Sequence, residues 1–274
     1  MMLLIAYSFL LFTNRISASP TDRIVGGSTV KIEDYPHQAS LRIGEDLHVC
    51  GGSIIGIDWI LTAAHCAQFL IITEVLRPTV VVGTSQLSHG GWQYLIEKII
   101  AHDDYESHLL KNDIALIKLT TNLDLSNAVN IIPYHSSTPP IDSICEFTGW
   151  GYTSASIQSP PNNLQHTQFI TMSLNECKRV LSVSNTNLCT RGYRDKGTCY
   201  GDSGSALIFK GRQVGVASFR VPCGTEKPDV FTSVPKFASW IEEQSGISGA
   251  FTATINRNLL ALFLVTLYIV VHLI

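Results

Sequence analysis

The chain has 274 residues, of which 45% are hydrophobic and 15% are charged, and its formal net charge is -3. This composition excludes a disordered chain and is sufficient for one large domain or two small domains with buried cores. The weak negative charge, without a run of Lys or Arg, gives nucleic acid no electrostatic footprint, so no nucleic-acid partner is expected.

The amino-terminal end has the layout of a secretory signal. An apolar block at residues 3–12 precedes the small residues Ser17, Ala18 and Ser19, as in a signal peptide and its cleavage site. A short buried helix is the alternative. We expect a signal peptide at residues 1–19, export, and a short stub at residues 20–23. In an exported chain, seven cysteines leave one thiol without a partner inside the chain.

Short strands recur through the centre of the chain. They are β-branched or alternating and are separated by Gly, Asp and Pro. The first set comprises residues 38–43, 59–63, 79–82, 94–102 and 113–119. The second set comprises residues 144–148, 164–172, 205–209, 213–219 and 229–234. Such regular short strands predict a barrel or a sandwich.

Two further segments complete the central region. Residues 123–143 are rich in Asn, Ser and Pro and are interpreted as a connection across a domain boundary. The pattern predicts a helix only at residues 235–244, where Pro suits the first turn and Phe237, Trp240 and Ile241 share a face.

The carboxyl-terminal tail, residues 247–274, is expected to attach the protein to a membrane. Residues 259–274 are apolar and uncharged, and they follow the small residues Ser248, Gly249 and Ala250 and a polar spacer. This is the layout of a glycosylphosphatidylinositol (GPI) attachment signal. A membrane span is the main alternative, and a buried terminal helix is a weaker one because the segment has no polar face.

Three separate segments supply the groups that peptide hydrolysis uses. They are LTAAHC with His65, NDIALIKL with Asp113 and GDSGSA with Ser203. A hydroxyl nucleophile, an imidazole base and a carboxylate that orients the base together form acyl-enzyme machinery. Each segment alone is weakly informative, whereas the combination predicts a serine hydrolase.

With these segments, the chain resembles the chymotrypsin-like family of serine peptidases. The resemblance also rests on RIVGG at residues 23–27, CGGSII at 50–55 and FTGWG at 147–151. The order His, Asp, Ser is that of this family. The resemblance implies an all-β domain over residues 24–246, with two packed six-stranded antiparallel β-barrels and a C-terminal helix. The active site would lie in the seam between the barrels.

The resemblance also assigns roles to the residues of that seam. Ser203 would attack the substrate carbonyl, His65 would act as base and then acid, and Asp113 would fix the imidazole tautomer. The backbone N–H groups of Gly201 and Ser203 would form the oxyanion hole.

The RIVGG motif implies synthesis as a zymogen. By resemblance, a trypsin-like protease would cut after Arg23, which ends a short activation propeptide at residues 20–23. The freed amine of Ile24 would then pair with the carboxylate of Asp202 and shape the oxyanion hole.

Six of the cysteines match pairs in this family, which implies the disulfides Cys50–Cys66, Cys177–Cys189 and Cys199–Cys223. Cys145 would stay a free, buried thiol, because Phe209 stands where many relatives carry its partner. Zinc binding is the alternative for these cysteines, but no CxxC pair occurs.

The specificity pocket departs from the tryptic pattern. By alignment, Gly197 stands at its base, where tryptic members carry Asp, and Ser218, Phe219 and Arg220 form the segment along the substrate. Arg220 would narrow the pocket or point into solvent. Asp229 would supply an off-centre carboxylate for basic side chains or pair with Arg220. We expect apolar or aromatic side chains to be preferred first, small ones second and basic ones third.

The sequence therefore predicts an exported, zymogen-activated serine endopeptidase. We expect a monomer that acts on protein or peptide substrates, without a cofactor or metal, in the extracellular space or on the cell surface. One alternative is a catalytically silent homologue that binds a partner through the same cleft. A structural or adhesive β-protein is a third interpretation, but it would not need the activation motif and the three hydrolytic groups together.

Overall fold

The computed structural model of the protein describes residues 27–153, 159–194, 196–219 and 222–249. Strands dominate these residues. In chain order they are β1 Ser28–Thr29, β2 Gln38–Ile43, β3 Leu47–Gly56, β4 Trp59–Thr62, β5 Thr79–Val82, β6 Trp92–Ala101, β7 Ala115–Leu119, β8 Ile144–Gly149, β9 Gln165–Ile170, β10 Asn187–Thr190, β11 Ala206–Phe209, β12 Arg212–Phe219 and β13 Asp229–Ser233. The helices are α1 Ala64–Ile72, α2 Leu174–Cys177 and α3 Ala238–Ser245, with 3-10 turns at Ile32–Asp34, Glu74–Leu76 and Val234–Phe237.

The amino-terminal half forms a closed six-stranded barrel in the order β2-β3-β4-β7-β6-β5. Each neighbouring pair is antiparallel. Its core consists of aliphatic side chains that water does not reach, among them Leu41, Ile54, Ile60, Val80 and Leu116. Burial of such side chains is the main term that stabilises the barrel.

The carboxyl-terminal half forms a seven-stranded sheet in the order β1-β9-β8-β11-β12-β13-β10. The two-residue strand β1 pairs with β9 at one edge. The other six strands close on themselves, because Thr171, directly after β9, forms an antiparallel bridge with Thr190 of β10. The prediction of two antiparallel barrels is therefore confirmed, with β1 as an addition to the second.

Between β7 and β8, the chain crosses from one barrel to the other without a helix or strand, which confirms the predicted connection. Buried polar side chains then lock the seam. Gln38 accepts a hydrogen bond from Thr148 at 2.8 Å and donates one to Ser205 at 3.2 Å. Ser53 donates to Gln213 at 2.7 Å. Because an unpaired buried polar group is costly, these bonds favour one arrangement of the two barrels.

The predicted carboxyl-terminal helix is present. Its first turn, Val234–Phe237, is a 3-10 turn that contains Pro235, and α3 continues from it. Phe237 and Ile241 are buried and Trp240 packs against the first barrel. The pattern did not predict α1 or α2. The first of these carries His65 in its first turn, so it matters for the site.

Three disulfides join Cys50 to Cys66, Cys177 to Cys189 and Cys199 to Cys223, and Cys145 is free and buried. The pairings implied by the resemblance are confirmed. Disulfides are typical of chains that fold in an oxidising, extracellular environment.

Within the described ranges, no helix is both long enough and apolar enough to cross a membrane. The predicted signal peptide, the propeptide and residues 250–274 of the tail lie outside those ranges.

Candidate active site

His65 and Asp113 face each other at the seam between the barrels. Nδ1 of His65 lies 2.8 Å from Oδ2 of Asp113, and the backbone N–H of His65 donates to Oδ1 at 2.9 Å. Asp113 is fully buried, whereas 28% of the His65 side chain is exposed. A carboxylate only accepts hydrogen bonds, so Nδ1 carries the ring hydrogen and Nε2 is left as an acceptor.

Two further side chains from the second barrel hold Asp113. The hydroxyl of Ser218 donates to Oδ2 at 2.5 Å, and the hydroxyl of Thr232 donates to the backbone oxygen of Asp113 at 2.7 Å. Ser218 was predicted to lie along the substrate, and the structure shows that it also fixes the carboxylate. These bonds couple the two barrels at the point where the imidazole is oriented.

Ser203 lies in a tight turn directly before β11. Its neighbours Gly201 and Gly204 have φ values of +97° and +85°, a region that residues with a side chain rarely adopt. A Cβ on Gly204 would lie 2.2 Å from Oγ1 of Thr62 and 2.3 Å from the oxygen of Gly51, so only glycine fits there. The N–H of Gly51 donates to the carbonyl of Ser203 at 2.7 Å and ties the turn to the first barrel.

Ser203 and His65 line the same cavity. No hydrogen bond joins Oγ of Ser203 to Nε2 of His65 among the described residues, and this nitrogen lies 3.5 Å from Sγ of Cys66. Catalytic hydrogen bonds are often long in a free enzyme and shorten when substrate binds.

Asp202 places a buried carboxylate next to Ser203. Its two oxygens accept the N–H groups of Gly151 and Cys199, each at 2.8 Å. A Cβ on Gly151 would lie 2.1 Å from Oδ2 of Asp202, which explains the glycine that ends the FTGWG motif. The predicted activation residues Arg23 and Ile24 lie outside the described residues.

Sequence reasoning missed a second histidine, His48, which contacts the turn that carries Gly201 and Ser203. The guanidinium Nε of Arg42 donates to the hydroxyl of Ser40 at 3.0 Å, and this hydroxyl lies 2.8 Å from Nδ1 of His48. The hydroxyl hydrogen of Ser40 therefore points to Nδ1 of His48. The ring hydrogen of His48 is then on Nε2, which donates to the carbonyl of Gly201 at 3.0 Å. Burial lowers the pKa of His48 to about 4, so the ring is neutral at neutral pH.

A cavity of about 180 Å³ opens beside Ser203 on the side of β12. Its walls are Thr198, Tyr200, Ala217, Ser218, Phe219, Pro222 and the Cys199–Cys223 disulfide. Ser218 and Phe219, which the sequence analysis assigned to the specificity pocket, line this cavity. Arg220 lies outside the described residues.

Asp229 contacts the wall of this cavity through Thr198. Oδ1 of Asp229 accepts the backbone N–H of Thr198 at 2.9 Å and its hydroxyl at 2.6 Å. Asp229 is fully buried, and among the described residues Thr198 is the one that lines the cavity at this point. The carboxylate of Asp229 therefore holds a residue of the cavity wall. That it attracts a basic side chain or pairs with Arg220 stays a prediction.

In the described part of the chain, only Cys50, His65 and Cys66 bring three potential metal-ligating atoms within 4.8 Å of one another. Cys50 and Cys66 form a disulfide, and metals bind thiolates rather than disulfide sulfurs. The donor set therefore does not suit a metal ion.

An imidazole held by a buried carboxylate beside a serine hydroxyl, at the seam of two antiparallel barrels, defines the class of two-barrel serine peptidases. Comparison with known proteins leads to the same class. The family model described as Trypsin matches residues 24–241. The chain therefore belongs to the trypsin family, and it is a serine endopeptidase.

Individual relatives agree with this family. The chain is 35% identical to brachyurin of Leptuca pugilator over 231 residues. This alignment covers 82% of this chain and all of the relative. It is 35% identical to serine protease 1 of Canis lupus familiaris, over 81% of this chain and 89% of the relative. The structure of neuropsin, a serine protease of mouse brain, superposes with a TM-score of 0.73 at 28% identity, over 80% of this chain and 98% of that one.

Proposed function

We propose that Ser203, His65 and Asp113 form the catalytic triad of this endopeptidase. The observation that carries the proposal is the 2.8 Å contact between His65 Nδ1 and the buried carboxylate of Asp113. Ser203 Oγ attacks the peptide carbonyl, and its proton moves to Nε2 of His65. The imidazolium then gives this proton to the leaving amine as the peptide C–N bond breaks, and water hydrolyses the acyl-enzyme.

The N–H groups of Gly201 and Ser203 stabilise the oxyanion of this reaction. In the described part of the chain neither group donates a backbone hydrogen bond, so both are available to a substrate oxygen. The positive φ of Gly201 gives its amide a direction that other residues resist. Removing one oxyanion donor costs about 10² to 10³ in kcat in enzymes of this kind.

The protein is made as a zymogen that is activated by cleavage after Arg23. The support is the position of Asp202, whose buried carboxylate contacts the loops around Gly151 and Cys199. These loops lie beside the turn that carries Gly201 and Ser203, which we call the oxyanion turn. A new amine at Ile24 would bring a positive charge to this carboxylate and hold the turn in its active form.

Apolar or aromatic side chains are the preferred residues before the scissile bond. Ala217, Phe219, Pro222 and a disulfide supply apolar walls to the cavity. The carboxylate of Asp229 is engaged by Thr198, which weakens its attraction for a basic side chain. Small side chains rank second and basic ones third.

The protein acts outside the cell as a monomer on proteins or peptides. Its three disulfides support export. The apolar tail at residues 259–274 supports attachment to the cell surface through a GPI anchor.

The experiment is to treat the purified proenzyme with a trypsin-like protease and to profile it on peptides varied at the residue before the scissile bond. Activity should appear on cleavage after Arg23, with Phe and Leu peptides hydrolysed faster than Ala and Arg peptides. The variant Arg23→Gln should stay inactive, whereas the matched control Arg179→Gln should be activated.

Two results would contradict the proposal. Activity of Arg23→Gln equal to that of the cleaved enzyme would refute zymogen activation. Cleaved protein that hydrolyses none of the peptides would favour a silent homologue that only binds its partner.

A further inference from the structure

A second and larger cavity, which we call the leaving-side cavity, lies on the other side of the catalytic groups. Its volume is about 580 Å³, and His65 and Ser203 form part of its wall. Among the described residues no Asp, Glu, Lys or Arg lines it.

Apolar side chains at the rim of this cavity are exposed. Leu47, at the start of β3, is 59% exposed, and Phe69 of α1 is 42% exposed. Tyr200 is 74% exposed, and its ring centroid lies 5.9 Å from that of Tyr152. Exposed apolar groups gathered at one place on a soluble protein mark a binding surface.

The position of Phe69 follows from the helix that carries the catalytic imidazole. Phe69 lies four residues after His65 in α1, so both side chains lie on one face of the helix, one turn apart. The Cys50–Cys66 disulfide fixes the first turn of α1 to β3, the strand that carries Leu47. The fold therefore holds the two apolar groups in the wall of the cavity that this disulfide also lines.

The direction of the substrate follows from the chemistry. The amine that leaves must lie beside Nε2 of His65, which gives it a proton. The residue before the scissile bond uses the smaller cavity, whose walls do not include His65. The residues after the scissile bond therefore enter the leaving-side cavity.

We propose that the leaving-side cavity selects substrates with a bulky apolar side chain at the first position after the scissile bond, with Phe69 and Leu47 as the specificity-determining residues. The inference rests on the proposed function of His65 and Ser203. Acidic side chains bind poorly there, because they would lose water next to an apolar wall without gaining a charged partner.

Acyl transfer tests this site apart from the smaller cavity. Activated enzyme is given one ester substrate together with an amino-acid amide, and water and the amide compete for the same acyl-enzyme. The α-amine nitrogen of the amino-acid amide attacks the acyl carbon, the bond to Ser203 Oγ breaks, and the proton lost by the amine passes through His65 to Ser203 Oγ. This step is the reverse of amine departure, so its rate reports binding on the leaving side alone.

Leucine amide and phenylalanine amide should capture the acyl group about tenfold better than aspartic acid amide or glycinamide. Phe69→Ala should reduce the advantage of the apolar amides by about threefold or more. The matched control Ile72→Ala removes an 80% exposed apolar side chain from the same helix, outside the cavity, and should change nothing. Leu47→Ala gives a second test on a different element.

Equal capture of leucine and aspartic acid amides by the wild-type enzyme would overturn the proposal. An equal loss in Phe69→Ala and Ile72→Ala would also overturn it. If the capture ratio of the amides changed with enzyme concentration, a second copy of the chain would be covering the leaving-side cavity. This result would also overturn the proposal. Absence of ester hydrolysis would instead refute the proposed function of Ser203, so the two failures are distinguishable.

Discussion

Replacing His48 by Phe should lower kcat although His48 takes no part in the proton transfer. The change keeps a ring of similar size against Trp150, whose centroid lies 5.7 Å away. It removes both ring nitrogens, and with them the hydrogen bonds to Ser40 and to the carbonyl of Gly201. The oxyanion turn then loses the contact that fixes its backbone.

The magnitude follows from the groups left behind. The hydroxyl of Ser40 and the carbonyl of Gly201 would each lose a buried partner, at a cost of about 1 to 3 kcal/mol for each group. The N–H of Gly201 remains, and only its orientation is less well fixed. The loss in kcat should therefore be smaller than the 10²- to 10³-fold loss that follows deletion of a donor. We expect a loss of about tenfold, which corresponds to about 1.4 kcal/mol.

Steady-state hydrolysis of one peptide and one ester by the activated enzyme measures this effect. The matched control is His37→Phe, since His37 is also buried and its Nε2 has no hydrogen-bond partner among the described residues. The control should retain kcat, and KM should change little in either variant. If His48→Phe and His37→Phe give the same kcat, the positioning role of His48 is wrong.

Three further predictions concern stability and the thiol. Burial lowers the pKa of both His37 and His48 to about 4, so their contribution to stability is complete above the unfolded pKa of about 6.5 and declines as the pH falls towards 4. The loss is about 3 kcal/mol for each imidazole at most, and urea midpoints that do not change between pH 7 and pH 4.5 would contradict it. Replacing both Cys199 and Cys223 by Ala should lower the free energy of unfolding by about 2 to 4 kcal/mol in guanidinium titrations; no change would show that the bridge adds no stability. Burial raises the pKa of the Cys145 thiol to about 12, so a disulfide reagent should titrate no thiol in the native protein and one after unfolding, and fast labelling of the native protein would refute its burial.

Most strands were predictable from the sequence because alternation and β-branched residues persist through them. β2 and β5 have the predicted bounds. β3, with ten residues, was missed because Gly51 and Gly52 interrupt its pattern. The structure gives the physical reason: a Cβ on Gly51 would lie 1.9 Å from Oγ of Ser205 in the other barrel. This glycine allows close contact between the barrels, which local sequence does not show.

Helix α1 was missed for a different reason. Its sequence AHCAQFLII has only two polar residues, His65 and Gln68, and its apolar residues lie on several sides, with Leu70 buried and Phe69, Ile71 and Ile72 exposed. A helix is recognised by an apolar face opposite a polar face, and two polar residues are too few to make that pattern visible here. The exposure of Phe69 is explained by its position in the leaving-side cavity, which the sequence of the helix does not show.

The site shows the same division. His65, Asp113 and Ser203 lie in recognisable motifs, and the structure brings them to one seam. His48 and Ser40 lie on paired strands, and their relation to Gly201 depends on packing of the two barrels across 153 residues of chain. No local pattern predicts such a contact, nor the hydrogen bonds from Thr198 to Asp229.

Labelling by a serine-directed fluorophosphonate tests the central claim most directly. Protein cleaved after Arg23 should carry the adduct on Ser203, as located by mass spectrometry of its peptides. Ser203→Ala should remove the adduct. Asp113→Asn should slow labelling by about 10⁴-fold, because the imidazole of His65 is then held in the wrong tautomer. An adduct on another serine, or equal labelling of Asp113→Asn and the parent enzyme, would contradict the account.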